Sequence, residues 1–252
     1  MITDSSLHPL LERIGVGTRL LGGPAIVDGV PVGGAEASES HALTTLHRAW
    51  DLGVRRYDTC DAYGLGRAER LIGRFRADLG READDLRLSA RLGMFRGTAS
   101  HPLRAVHMRH QLEQLAENTG VEELDLVSLS DVSAGPGDGA EAVDAMLSFR
   151  ETGWARRIGI PLPELSGWGA ATAGYSSFLE LVERLRPDVV HVGIADLFPL
   201  TVLGDETLFE FAQRIGTEIL VHGPLVHGLL AGTYPAAVGT AFGEGDIRSG
   251  LA

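Results

Sequence analysis

The chain of 252 residues carries 22 basic and 34 acidic side chains, a formal net charge of −12 at pH 7. That balance argues against nucleic acid or an anionic membrane surface as a partner, since both repel a polyanion. No apolar run approaches the ~18 residues of a membrane span, and the N-terminus has no basic segment leading into an apolar one. The lone cysteine, Cys60, excludes an internal disulfide framework, so a cytoplasmic protein acting on a small molecule is expected. All 22 basic residues are arginine, which rules out lysine chemistry of any kind.

In chain order, Ile14 to Leu21 reads as a first strand, followed by a Gly/Pro/Val-rich loop from Gly22 to Ala37. Ser38 to Leu52 predicts a helix with Ser40 as its cap and Ala42, Leu46 and Trp50 on its apolar face. Val54 to Tyr57 predicts strand two, and Arg67 to Leu79 has apolar residues at helical spacing. Further strands are expected at Leu86 to Ala90, Leu124 to Leu129, Arg157 to Ile160, Val189 to Ile194 and Glu218 to His222. Helices fall between them, at Pro102 to Glu117, Ala140 to Glu151, Tyr175 to Leu185 and Asp205 to Ile215. Strands alternating with helices mean a parallel sheet, and their near-continuous apolar runs mean one buried on both faces. With no solenoid repeat and no low-complexity linker, residues 1–252 read as one α/β domain.

The stretch from Tyr57 to Glu69 leaves the C-terminal end of strand two, where (β/α) barrels assemble their active sites. It places a carboxylate, Asp58, and a phenol, Tyr63, five residues apart, with Gly64 and Gly66 beside them. A phenol with a pKa near 10 serves as a general acid when its environment lowers that value, and a nearby cation is the usual device.

The segment Gly53 to Gly73, Gly-Val-Arg-Arg-Tyr-Asp-Thr-Cys-Asp-Ala-Tyr-Gly-Leu-Gly-Arg-Ala-Glu-Arg-Leu-Ile-Gly, closely resembles the signature of the aldo-keto reductase superfamily. The resemblance implies a (β/α)8 TIM-type barrel and a catalytic group of Asp, Tyr, Lys and His in which Tyr donates the proton. Asp58 and Tyr63 match directly, while Arg91 stands where the family has lysine. Ser130 stands at the histidine position, with Asp131 next to it. Pro161 and Leu162 replace the family's Ser-Asn pair that holds the nicotinamide amide; His191 replaces a glutamine and His222 an aromatic stacking residue.

Pro224 to Gly232 resembles the family's loop after strand seven, and Asp246-Ile247-Arg248 a segment preceding its last elements. Those last elements, which grip the adenosine phosphate, have no counterpart in this sequence. The barrel is therefore expected to be incomplete or atypically closed at its eighth strand, by Tyr234 to Phe242 or by a homodimer partner.

These replacements predict loss of NADPH use. The expected activity is acid–base chemistry without a cofactor, a dehydration, isomerisation or cyclisation in bacterial specialised metabolism, performed by Tyr63, Asp58, Arg91, Asp131, His222 and His191. Two rivals accompany it: an NADPH-dependent carbonyl reductase with Arg91 deputising for lysine, and a non-catalytic binding protein. Asp131 reads equally well as a cap of its turn, and each histidine as a hydrogen-bonded core residue. His191, His222 and an aspartate could suit zinc or iron, but no metal-binding spacing supports them and no metal is expected. Cys60 reads as a packed thiol, and His101, His107 and His110 as solvated.

Overall fold

The computed structural model describes residues 8–94, 101–130, 136–163, 173–193, 202–203, 206–231 and 242–251. The chain forms two compact units: Met1–Arg91 with His110–Asp125 and Gly239–Ala252, and Leu92–Arg109 with Leu126–Val238.

The first unit begins with α1 (His8–Leu11), β1 (Gly15–Gly17), a 3-10 turn at Arg19–Gly22 and a small hairpin of β2 (Ile26–Val27) and β3 (Val30–Pro31). The hairpin lies in the stretch expected to be plain loop. Then come α2 (Glu39–Asp51), β4 (Arg56–Thr59), α3 (Arg67–Leu79) and β5 (Arg87–Leu92), the last extending into the second unit. Ser38, not Ser40, caps α2, its Oγ accepting from the amide of His41 at 3.2 Å. Helix α2 buries Ala42, Leu46 and Trp50, and α3 buries Ala68, Leu71, Ile72 and Phe75. Trp50 and Tyr57 meet Phe75 with ring centroids 5.9 and 5.2 Å away, so aromatic edges join the helices to β4.

Besides β5, two elements straddle the units: α4 (Ala105–Thr119) and β6 (Leu124–Leu129). The second unit continues with α5 (Pro136–Glu151), β7 (Ala155–Pro161), α6 (Ala173–Leu185) and β8 (Val189–Gly193). A short hairpin of β9 (Val202–Leu203) and β10 (Glu206–Thr207) leads into α7 (Leu208–Ile215) and β11 (Glu218–His222). Thr207 and Glu210 form a reciprocal capping box at the start of α7. Its core is apolar, with Met146, Phe149, Ile158, Ile160, Phe178, Val190 and Phe211 all buried. Strand β8 is buried over its first four residues, as a strand covered on both faces requires.

The seven parallel strands come in the order β1-β4-β5-β6-β7-β8-β11, the succession of a (β/α) barrel. The two strands at the ends of that order, β1 and β11, are more exposed than those between. Among the described residues no eighth parallel strand follows, and the segment from Tyr234 that was expected to close the barrel lies almost wholly outside them. The Asp246 segment instead joins the N-terminal hairpin region: Ala25 N–H donates to Gly245 O at 3.1 Å, and Ile247 N–H to Gly33 O at 3.0 Å.

Candidate active site

Asp58 lies inside β4 rather than on the loop beyond it, and Arg91 inside β5. Parallel register pairs Asp58 with Ser89, and side chains alternate along a strand, so Arg91 is the next residue of β5 on Asp58's face. The opposite face carries Tyr57, whose hydroxyl donates to Leu46 O in α2 at 3.2 Å. Asp58 therefore points away from α2. Its Oδ2 lies 3.5 Å from Arg91 Nε, an ion pair whose side chains are 20% and 15% exposed. Asp58 Oδ1 and Arg91 Nε are both buried and make no hydrogen bond.

Tyr63 is carried by a turn of residues at positive φ: Gly64 at 63°, Leu65 at 52° and Gly66 at 80°. Gly66 N–H closes it on Asp61 O at 2.7 Å. Glycine at 64 is obligatory, because a Cβ there would lie 2.1 Å from Gly22 O. That close approach fixes the loop after β1 against the Tyr63 turn. Thr18 adds to the clamp, its N–H and Oγ1 donating to Asp58 O at 3.0 and 2.9 Å. The outcome is a residue that the sequence reading missed. Arg19 lies over the Tyr63 ring, Cζ 5.0 Å from its centroid, with Nη2 3.5 Å from the phenol oxygen.

The expectation that a cation lowers the Tyr63 pKa needs correcting. Burial pushes the phenol above its usual value; Arg91 and Arg19 pull it down and Asp58 pushes it up, but burial wins. Burial likewise raises the Asp58 carboxyl against the pull of Arg91 and Arg19. For Arg91 burial works against the charge, yet Asp58 and Tyr63 outweigh it, and the guanidinium holds its proton more firmly than usual. Tyr63 is thus a neutral phenol at physiological pH, a donor rather than a base.

Below this cluster lie the other buried polar groups of the signature. Cys60 is fully buried, donates to Asp61 Oδ1 at 3.3 Å, and has its thiol pushed far up by burial, which makes it a packed group rather than a nucleophile. Glu69 accepts from Asn118 Nδ2 at 2.7 Å, and burial lifts its carboxyl to about 7.

In the second unit His191 is buried, its Nε2 2.6 Å from Ser128 Oγ. Gly159 faces the pair: a Cβ there would stand 2.4 Å from Ser128 Oγ and 3.1 Å from His191 Nε2. His191 is therefore a buried histidine hydrogen-bonded to Ser128, a partner not foreseen from the sequence. His222 ends β11 half-buried, in register with Gly193, and Ser130 has a buried Oγ that makes no hydrogen bond. Asp131 lies outside the described residues. His101 is not simply solvated, since its Nδ1 accepts from the Leu103 amide at 3.0 Å. Among the described residues no group of three or more His, Cys, Asp or Glu is arranged to hold a metal ion. No described helix is long and apolar enough to cross a membrane.

Strand order and the β4–β5 site define an α/β barrel-type protein. The profile of the Aldo/keto reductase family matches residues 13–238, and the chain belongs to that family. It is 27% identical over 158 residues to pyridoxine 4-dehydrogenase of Escherichia coli (strain K12), a match covering 60% of this chain and 52% of that protein. The chain thus spans about half the length of this curated relative. Among solved structures, a glycerol dehydrogenase from Gluconobacter oxydans superposes with a TM-score of 0.67 at 19% identity, over 94% of this chain and 66% of that one. An aldo-keto reductase from Klebsiella pneumoniae, solved with NADPH, gives 0.61 at 18%, over 87% and 66%. At such identities the structures speak for the fold alone, which is the TIM-barrel type of the aldo-keto reductases.

The expectation of a lyase or isomerase without a nicotinamide cofactor is overturned. The relatives are named as dehydrogenases and reductases, and one of the structural neighbours was solved holding NADPH. The inference failed because it weighed replaced side chains as lost binding, although a cofactor site also rests on backbone and shape. In the first unit the chemistry present suits such a group, a protonated Tyr63 phenol with Arg19 at its hydroxyl. In the second unit His222 ends β11 with a planar ring, at the sequence position where the family has its stacking residue. At the amide-holding positions Pro161 and Leu162 are apolar, and His191 already has Nε2 engaged by Ser128. The unpaired Oγ of Ser130 is a further polar group open to a ligand.

Proposed function

We propose that the protein is an NADPH-dependent reductase of small carbonyl compounds, with Arg91 in the role the family gives to lysine. The observation that carries this reading is the buried Tyr63 phenol set between the Asp58–Arg91 ion pair and Arg19. The dehydrogenase names of the relatives and the NADPH-bound neighbour support it.

A bound NADPH would supply the hydride that the carbonyl carbon accepts, and His222 stands at the sequence position where, by the resemblance, the family stacks an aromatic ring on the nicotinamide. Tyr63 gives its hydroxyl proton to the carbonyl oxygen as the alcohol forms. The phenolate left behind is stabilised by the positive charges of Arg91 and Arg19, and solvent returns the proton. Arg91 keeps its own proton throughout, so it acts by charge and not by relay. Asp58 holds Arg91 in place through the ion pair, and burial of the cluster strengthens each of these charge interactions.

The test is a titration with NADPH and NADP followed by calorimetry, then carbonyl-dependent loss of NADPH absorbance. Micromolar nucleotide binding and turnover are expected, with Tyr63→Phe keeping the binding and losing the turnover. An absence of nucleotide binding at millimolar concentration would end the reductase reading.

A further inference from the structure

The Tyr63 cluster holds more positive charge than its own residues balance. Arg91 is matched by Asp58 at 3.5 Å, and Tyr63 is neutral. Arg19 is the surplus. Its charge acts on Asp58, which it shares with Arg91, but among the described residues its direct contacts are the ring and hydroxyl of Tyr63. Its guanidinium is half-buried and stacked on the Tyr63 ring, so it presents positive charge beside the phenol where an anion could meet it.

Arg19 is also held in place before any ligand comes. It opens the 3-10 turn Arg19–Gly22, whose preceding residue Thr18 is bonded to Asp58 O through both N–H and Oγ1. Glycine at 22 lets that turn touch the Tyr63 loop, for a Cβ there would lie 2.7 Å from the carbonyl carbon of Tyr63. The backbone beneath Arg19 is thus fixed to the backbone beneath the proton donor. A guanidinium set this way is a fork for a carboxylate, with donors in a fixed plane and little entropy left to lose on binding.

We infer that the substrate carries a carboxylate on the carbon next to the reacting carbonyl, and that Arg19 recognises it. This rests on the reductase reading for the reaction, though not for the binding. Tyr63 must bond the carbonyl oxygen to donate its proton. The 3.5 Å between its hydroxyl and Arg19 Nη2 then sets where a second acceptor on the same molecule must be. A carboxylate one bond from the carbonyl carbon brings an oxygen to that neighbourhood; one further along an extended chain does not. The substrate class is the 2-oxo acids, and the product class the 2-hydroxy acids. The balance is that of any carbonyl reduction: hydride to carbon, Tyr63 proton to oxygen, and the carboxylate unchanged.

The experiment compares calorimetric binding of lactate with that of its neutral counterpart lactamide, with and without saturating NADP. Lactate should bind at least about tenfold more tightly, roughly 1.4 kcal/mol. Arg19→Met should erase that preference and Arg19→Lys should keep part of it, each with the near-ultraviolet dichroism of the parent chain. Tyr63→Phe should keep the preference although it cannot turn over. Equal binding of the two compounds, failure of both to bind, or a preference that survives Arg19→Met would overturn the inference. Loss of nucleotide binding with the lactate preference intact would instead remove the reductase reading and leave the carboxylate site standing. In turnover, Arg19→Met should raise KM for 2-oxobutanoate by about tenfold or more while leaving the KM for its methyl ester within about threefold. Equal changes for acid and ester would mean that Arg19 acts on Tyr63 alone.

Discussion

Two buried polar clusters, one in each unit, are built on opposite economies. In the second unit Ser128 and His191 meet at 2.6 Å, and Gly159 is small because any side chain there would strike them. In the first, Asp58, Arg91, Arg19 and Tyr63 sit together with an ion pair of 3.5 Å, and two buried atoms, Asp58 Oδ1 and Arg91 Nε, make no hydrogen bond. The Ser128–His191 pair is closely fitted. The charged group brings several ionisable side chains together, an arrangement common where a ligand binds or a reaction runs.

Tyr63→Phe should give the largest contrast. Loss of the general acid is expected to lower kcat by about a thousandfold, while Tm stays near that of the parent chain. Among the described residues the hydroxyl has one long 3.5 Å approach from Arg19, too weak to carry stability. A large drop in Tm would make the first cluster structural and erase the distinction between the two.

Arg91→Leu strands Asp58 as a buried carboxylate and should cost about 3 kcal/mol in denaturant unfolding. Adding Asp58→Asn should restore part of it, and an unchanged midpoint in Arg91→Leu would show that the pair is effectively solvated.

Glu69 extends the comparison to a buried acid beneath the site. Burial raises its carboxyl from 4.5 to about 7, so the folded chain holds that proton more tightly than the unfolded one. Its stabilising contribution is complete below the unfolded value of 4.5 and is lost as pH rises through about 7, by about 3 kcal/mol at most. Glu69→Gln lacks this loss. The difference in unfolding free energy should shift in favour of the variant across that interval and stay flat above it. A difference independent of pH would refute the raised carboxyl.

The smallest effect belongs to the Ser128–His191 pair. Gly159→Ala forces a Cβ against Ser128 Oγ and should destabilise by about 2 kcal/mol, measured by urea unfolding. Combining it with Ser128→Ala should recover much of that loss. Additive losses would mean that the crowding lies elsewhere.

How much of this was legible beforehand differs by element. Helix α3 and strands β6 and β11 fall on the expected residues, since apolar periodicity and glycine punctuation act locally. Asp58 and Tyr63 were found because the signature holds both within a few positions, and Arg91 because it stands at the family's lysine position. Arg19 was hidden. It reaches Tyr63 only because Gly22 and Gly64 let two loops touch, and nothing local records that contact; a cation just after the first strand of a barrel was the sole hint. Ser128 was hidden for the same reason, lying on a strand distant in sequence from His191.

By itself, then, the sequence determined the alternation of strands and helices, the parallel order they imply, and the loop that carries Tyr63, because period and turn chemistry are short-range properties. Only tertiary structure decided that burial outweighs two cations at Tyr63, that His191 is held by Ser128, and that Arg19 stands over the Tyr63 ring. Desolvation and charge pairing depend on which distant residues share a space, and that is set when the chain folds.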